Sequence, residues 1–365
     1  MSEQSPIVLP QPKQPRRQLH QSGVTMFSKC GTQFMFRYIY GIKRPPSAYM
    51  ICGTATDRAV NANLDNKILT GELLGRDTVT DLAAETVEKS PDIPALDPVL
   101  FDEEDQGKSV QQVIGETKDK AVRLVGRHHL DVAPIIQPYR TARKFTVNLD
   151  KFLRYRAKTL YEDAEGIELS KWKSRVMRAA AAALNATARD GMDFVGEQDI
   201  VEKIPVITTV QNEETSTVEM LSIRDTKTSK KSPTKDLGYE DDQMTAYAMA
   251  SSVIDGKLPE RLVLDYLVDL KRGVNYVPVN TVRSEEDVDV YRNRLATMVA
   301  AVRQGVFVPT NQTAWWCAKK WCGFTEICPH FKQPKSVTVV SDLGMTGSAP
   351  DPLPQKLIQI GKVKP

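Results

Sequence analysis

The pattern of hydrophobic and polar positions predicts a chain that begins with helices and continues with strands. Helices are predicted over residues 23–41, 53–72, 108–128, 170–189, 240–254 and 284–304. Strands, with alternating and β-branched positions, are predicted over residues 194–203, 217–227, 261–269 and 274–280. The first two strands form a hairpin that turns at residues 212–214. This order predicts a mixed α/β fold with a helical N-terminal part.

The segments that lack such a pattern divide the chain. Residues 1–21 are polar and rich in proline and predict a flexible arm, and residues 331–365 predict a mostly disordered tail. Residues 85–105 hold prolines and an acidic run, which indicates a surface loop. We therefore expect a single domain over residues 22–330. It contains a helical insertion around 61–190 and a cysteine cluster at 315–330.

Composition narrows the class of protein without fixing its function. The chain has 365 residues, of which 41% are hydrophobic and 26% charged, and this is ordinary for a globular protein. The net charge of +3 means that a surface for nucleic acid must be a local patch. No apolar run predicts a membrane span or a secretory signal, so we expect a cytoplasmic protein.

Two aspartates and a lysine in the predicted hairpin carry the first candidate chemistry. Asp199 lies inside the first strand, Asp225 lies near the end of the second, and Lys227 shares a strand face with Asp225. Neighbouring strands can bring the carboxylates together, and hard oxygen ligands suit Mg²⁺ or Mn²⁺. Such a metal would polarise a phosphodiester, with Lys227 neutralising developing charge. The alternative is an ordinary set of surface salt bridges.

The residues that follow the hairpin favour the metal site. Gln243 and Tyr247 are four residues apart in the next helix and therefore share one face. Basic residues that could follow a phosphate backbone surround this segment. They are Arg224, Lys230, Lys231 and Lys235. The alternative for these basic residues is a solvated run of charge.

Three motifs together resemble the RecB-like branch of the PD-(D/E)XK nucleases. They are Gly196-Glu197-Gln198-Asp199, Asp225-Thr226-Lys227-Thr228 and the pair Gln243 and Tyr247. The resemblance implies a restriction-endonuclease-like core sheet flanked by helices. It also implies a metal-dependent DNA nuclease, which we expect to be an exonuclease acting on a DNA end or a single strand in recombination, repair or degradation. Asp199, Asp225, Lys227, Gln243 and Tyr247 would be its catalytic residues.

The resemblance extends to the N-terminal part, with one departure. Ser22, the aromatic segment that begins at Cys30, and the helix start Gly53-Thr54-Ala55-Thr56-Asp57 follow the family order. The family has a histidine as metal ligand where this chain has Asp57. The implied ligands are then Asp57, Asp199, Asp225 and the Thr226 carbonyl. Asp57 could instead be a first-turn helix residue favoured by the helix dipole. The replacement of the histidine is the main support for the alternative function, a nucleic-acid-binding protein without catalysis.

The late cysteines offer a second metal site. The chain has five cysteines, and Cys317, Cys322 and Cys328 fall within twelve residues. Some RecB-like nucleases hold a [4Fe-4S] cluster through one early and three late cysteines, and Cys30 would be the early ligand. Cys317 lies two residues too early for the family spacing. The alternatives are a Zn²⁺ site that includes His330, or free thiols packed by tryptophans. Cys52 is expected to be a buried small hydrophobe.

The chain shows no phosphate-binding loop of the helicase type. We therefore expect a standalone nuclease of the kind found in phages and mobile elements. Its partners would be DNA and, through it, recombination or replication proteins. A structural scaffold in such a complex is the remaining alternative.

Overall fold

A computed structural model describes residues 18–331, with gaps at residue 45, at 99–100 and 102–103, over much of 151–170, and at 188–191 and 210–214. The arm up to residue 17, the hairpin turn and the tail beyond residue 331 lie outside the described residues.

The helices and strands follow the predicted order. The helices are α1 (Gln21–Lys29), α2 (Gly31–Phe34, continued by a π-helical turn Met35–Ile39), α3 (Ala48–Thr70), α4 (Arg76–Glu88), α5 (Val110–Asp131), α6 (Lys171–Thr187), α7 (Leu237–Glu240), α8 (Asp242–Ile254), α9 (Glu285–Arg303) and α10 (Lys319–Cys322), with a 3₁₀ turn at Ile93–Ala95. The strands are β1 (Gln18–Leu19), β2 (Pro138–Asn148), β3 (Asp193–Thr209), β4 (Thr215–Ser229), β5 (Arg261–Leu270) and β6 (Gly273–Thr281).

Within the described residues, one six-stranded sheet forms the centre of the fold. Strand β3 pairs antiparallel with β2 on one side and with β4 on the other. Strand β4 continues to β5 in parallel, and β5 turns back into β6. The short β1 runs parallel to the start of β3. This mixed sheet with flanking helices confirms the predicted fold class.

Each face of the sheet carries its own hydrophobic core. On one face α8 and α9 pack with the N-terminal aromatic helices, and Tyr291 and Met244 are among the fully buried side chains. On the other face α3, α4 and α5 pack over Ile200 and Leu267 of the sheet. Burial of side chains of this size stabilises a fold by about 1.5–3 kcal/mol each. The hairpin β3–β4 is therefore covered on both faces.

The prediction of one continuous helix over residues 23–41 is wrong. Cys30 is extended (φ −163°, ψ 109°) and separates α1 from α2. The break follows from a close contact, because a Cβ on Gly31 would lie 2.6 Å from the Val308 nitrogen. The Gly31 amide donates to the Val308 carbonyl at 2.8 Å. The chain bends at Cys30 so that α2 can meet the C-terminal segment.

The helical insertion predicted around residues 61–190 is also corrected, because it contains strand β2. Every second residue of β2 from Thr141 to Val147 is buried, which is a strand pattern. The pattern was hidden because one inward position is Arg143. Helix α4 occupies Arg76–Glu88, so the predicted surface loop at 85–105 begins later, and Gln18–Leu19 of the predicted arm form β1. Among the described residues, no helix is both long and apolar enough to cross a bilayer.

Candidate active site

Strands β3 and β4 place Asp199 and Asp225 side by side under helix α8. The Tyr247 hydroxyl lies 3.2 Å from an oxygen of each carboxylate. Asp225 is fully buried. Burial, and then the negative charges of Asp225 and Asp57, raise the pKa of Asp199 well above its ordinary value. The predicted pair is thus brought together in a place where two negative charges are costly without a cation.

Gln243 connects the helix to both sides of this pair. Its amide nitrogen donates to Asp225 Oδ1 at 2.9 Å and to the Tyr247 hydroxyl at 2.6 Å, and its oxygen accepts from Lys227 Nζ at 2.7 Å. The four-residue spacing of Gln243 and Tyr247 places both over the strand ends. Helix α8 thereby fixes the orientation of the carboxylates and of the lysine.

Lys227 is the cation of the site. Its ammonium group lies 2.6 Å from Asp225 Oδ2. Burial lowers the pKa of Lys227, but the attraction of Asp225 and Asp199 outweighs burial and the pKa is raised overall. Lys227 is consequently protonated at neutral pH, as a group that neutralises developing negative charge must be.

Helix α3 brings Asp57 to the same place. Burial, and then the negative charges of Asp225 and Glu197, raise the pKa of Asp57 to about 6. Asn61, one turn later on the helix, donates to Asp57 Oδ1 at 3.2 Å. Asp57 therefore adds a third carboxylate to the surroundings of Asp225 and Lys227.

The donor set of this site fits a hard divalent cation. Burial, and then the charge of Asp225, raise the pKa values of Asp57 and Asp199, and the buried Asp225 Oδ2 lies 2.6 Å from Lys227 Nζ. Oxygen donors of this kind are the preferred ligands of Mg²⁺ and Mn²⁺. Over the described residues, however, no three histidine, cysteine, aspartate or glutamate side chains form a group that holds a metal as they stand.

The prediction that Arg224 contacts DNA is wrong. Arg224 is 4% exposed and donates to both carboxylate oxygens of Asp265 at 2.8 Å. Its guanidinium also lies 3.4 Å from Glu202. A buried guanidinium with two acidic partners is a structural ion pair between β4 and β5. The sequence could not reveal this role because Asp265 lies forty residues away.

The three predicted lysines remain on the surface. Lys230 lies 2.6 Å from Glu104, and Lys231 and Lys235 are exposed. They follow the end of β4, the strand that carries Asp225 and Lys227. Contact of these lysines with DNA stays a prediction.

The four cysteines of the second site approach one another. Burial, and then the thiols of Cys30 and Cys328, raise the pKa of Cys317. Burial raises the pKa of Cys322 as well, with further contributions from Cys30, Cys328 and Cys317. The Gln33 amide donates to the Cys322 carbonyl at 2.9 Å, which ties the N-terminal helices to the C-terminal segment. Cys52 lies elsewhere, and burial raises its pKa to about 11. The sulfur ligands suit iron or zinc chemically, but they too form no ready metal site.

Two residues near the site were not predicted from the sequence. Asp241 caps α8 by accepting from the amides of Gln243 and Met244, and an aspartate before a helix is a recognisable signal. Tyr49 of α3 donates its hydroxyl to the Thr228 carbonyl, one residue beyond Lys227. No sequence pattern relates Tyr49 to residues so far along the chain.

Comparison with known protein families places this chain in one of them. The family model of the PD-(D/E)XK nuclease superfamily matches residues 18–329, which is most of the chain. The chain belongs to the PD-(D/E)XK nuclease superfamily. Membership points to metal-dependent hydrolysis of phosphodiester bonds, and members typically use Mg²⁺ or Mn²⁺.

No curated protein matches the chain. Among solved structures, the crystal structure of SSO0001 is similar at 15% identity, covering 58% of this chain and 94% of its own, with a TM-score of 0.22. A TM-score that low establishes no shared function.

Proposed function

We propose that the protein is a metal-dependent DNA nuclease that cleaves phosphodiester bonds at the Asp57, Asp199 and Asp225 site. The observation that carries the proposal is that three carboxylates interact with one another and with a single protonated lysine: Asp199 inside β3, Asp225 near the end of β4 and Asp57 on α3. A structural salt bridge needs one carboxylate for each cation. Three carboxylates with a single lysine leave excess negative charge that a divalent cation would balance.

Each residue has a distinct role in the proposed reaction. Asp57, Asp199, Asp225 and the Thr226 carbonyl would hold the cation, which supplies Lewis acidity when bound. Lys227 stabilises the charge that develops on the phosphate as water attacks. Gln243 orients Lys227 and Asp225 through its two ends. The Tyr247 hydroxyl lies 3.2 Å from an oxygen of each of Asp199 and Asp225, shares its one proton between them and holds the two carboxylates at a fixed spacing.

The direct test follows the fate of end-labelled DNA. The protein, purified without oxygen, is mixed with labelled single- and double-stranded DNA in Mg²⁺, in Mn²⁺ or in a chelator. We expect cleavage with metal and none with the chelator. Products shortened from one end would support the exonuclease assignment. Tight DNA binding without cleavage in either metal would contradict the proposal and favour a binding protein, the function that Asp57 in place of histidine would suit.

We further propose that Cys30, Cys317, Cys322 and Cys328 hold a [4Fe-4S] cluster. Support comes from the approach of the four thiols and from the contact of α2 with the C-terminal segment. A cluster there would join the two ends of the domain. Visible absorption and iron analysis of protein purified without oxygen test the assignment. A colourless protein with stoichiometric zinc would contradict the cluster.

A further inference from the structure

A cavity of about 410 Å³ opens beside the carboxylate site and belongs to none of the roles assigned above. Its walls come from helices α3 and α5, from Lys230 after β4, and from Trp321 in the cysteine-rich segment. Tyr49 joins it to the active site, because the Tyr49 hydroxyl bonds to the Thr228 carbonyl next to Lys227. The volume lies within the range of small-ligand pockets, about 300–1,000 Å³.

Two half-exposed aromatic rings stand in the walls of this cavity. Tyr49 is 44% exposed and Trp321 is 49% exposed. The Arg44 guanidinium holds the Trp321 segment by donating to the Trp321 carbonyl at 2.9 Å. Gly323 permits this approach, because a Cβ there would lie 2.1 Å from Arg44 Nε. Fixed aromatic side chains can serve as stacking surfaces for planar ligands. The Lys120 ammonium group lies 5.5 Å from the centre of the Tyr49 ring.

Charged groups of both signs line the cavity. Lys120 and Arg123 share the carboxylate of Asp269, at 3.7 and 3.3 Å. Asp105 and Glu116, which also line the cavity, pair with the ammonium group of Lys108. The walls thus present both donors and acceptors. Nucleobase edges carry donors and acceptors together, whereas a phosphate alone carries only acceptors.

We propose that this cavity binds the base of an unpaired DNA nucleotide next to the cleavage site, stacked on Tyr49 and Trp321. The inference rests on the proposed nuclease function, since the DNA strand would pass from the cavity to Lys227. A base inside a duplex stays stacked on its neighbours and could not enter. The cavity would therefore make the protein select single-stranded DNA or a frayed end.

The test measures binding without cleavage. The full chain is titrated in a chelator with a short fluorescein-labelled oligothymidylate, and anisotropy gives the dissociation constant. Trp321→Ala should weaken binding about tenfold, because one base loses its stacking partner. Trp321→Phe should restore most of the affinity. Trp315→Ala is the matched control, since Trp315 is 63% exposed and packs on Trp321 but does not line the cavity.

A second measurement uses the unaltered protein. Oligonucleotides that carry one abasic position are compared along the sequence, and one position should lose affinity about tenfold while the others change little. Base binding in the cavity would be contradicted by equal affinities for all the abasic oligonucleotides. Equal losses of affinity in Trp321→Ala and Trp315→Ala would contradict it as well. Binding that depends on Trp321 in a protein that never cleaves DNA would overturn the nuclease and leave the cavity standing. Cleavage together with binding that does not depend on Trp321 would overturn base binding in the cavity and leave the proposed nuclease function standing.

Discussion

Tyr247 is the residue on which the geometry of the site depends most. It is 3% exposed, its hydroxyl lies 3.2 Å from both Asp199 and Asp225, and it accepts from Gln243. Among the described residues, Tyr247 is the side chain whose hydroxyl lies within hydrogen-bond distance of both carboxylates. Tyr247 thus limits how far the two negative charges can move apart before a cation binds.

Tyr247→Phe should lower the cleavage rate by about 10- to 100-fold, the usual effect of losing a group that orients metal ligands. The free energy of unfolding should fall by only about 1–2 kcal/mol, since one buried hydroxyl is lost. Rates and urea denaturation of the variant measure both. Tyr276→Phe is the control, because its hydroxyl bonds to Asp265 and Arg224 outside the site. An equal loss of activity in both variants would contradict the assignment.

The lowered pKa of His128 predicts how the stability of the fold changes with pH. It is fully buried in α5, its Nε2 has no hydrogen-bond partner, and burial, followed by the charges of Arg224 and His129, lowers its pKa from 6.5 to about 3. Below pH 6.5 His128 binds a proton in the unfolded chain, whereas in the folded chain it stays neutral until the pH approaches 3. Stability is therefore retained above pH 6.5 and falls as the pH drops toward 3.

Between pH 6.5 and 5 this loss amounts to about 2 kcal/mol. His128→Leu should remove that part of the pH dependence. Urea denaturation of both proteins at several pH values, in a chelator, isolates the effect as a difference. Parallel pH profiles for the variant and the natural protein would contradict it.

At the scale of elements, strand β2 of the insertion is connected to helix α8 of the active site by side-chain hydrogen bonds. Arg143 donates to both oxygens of Asp255 at 2.8 Å and to Gln198 at 2.6 Å, and Gln198 donates to the Tyr247 carbonyl at 3.0 Å. Gln198 is fully buried and directly precedes Asp199. Arg143 is accordingly a positioning residue for both β3 and α8.

Arg143→Leu should lower the free energy of unfolding by about 3–5 kcal/mol, because Asp255 loses its partner. Arg143→Lys keeps the charge but not the paired donors, so it should fold and yet cleave more slowly. Calorimetric Mn²⁺ affinity should weaken in the lysine variant, which a purely structural role would not require. Arg140→Ala, on an exposed position of the same strand, is the control. Unchanged Mn²⁺ affinity and rate in Arg143→Lys would contradict the positioning role.

The elements also show what a sequence can reveal. The hairpin, α8 and α9 were predictable because their periodicity is local and regular. Strand β2 was not, because Arg143 interrupts the apolar positions and is neutralised by a residue of α8. The break at Cys30 depends on contact with Val308, far along the chain. Within the site, motif spacing located Asp199 and Asp225, whereas the partners of Arg224 lie on other strands.

For the whole molecule, the site lies where three parts of the chain meet. Helix α3 contributes Asp57, the hairpin contributes Asp199, Asp225 and Lys227, and α8 contributes Gln243 and Tyr247. The cysteine-rich segment closes one wall of the neighbouring cavity through Trp321. Folding of the entire domain is therefore required before the carboxylates approach one another, which explains why no short segment holds the chemistry by itself.

The cleavage rate of Lys227→Ala tests the central claim most directly. Single-turnover cleavage of end-labelled single-stranded DNA in Mn²⁺ is compared for the natural protein, Lys227→Ala and the control Lys271→Ala, which removes an exposed lysine from the β5–β6 turn. Loss of one electrostatic donor should slow cleavage by about 100- to 1,000-fold in Lys227→Ala and leave Lys271→Ala unchanged. Metal-dependent cleavage of equal rate in all three proteins would contradict the active site proposed for this chain.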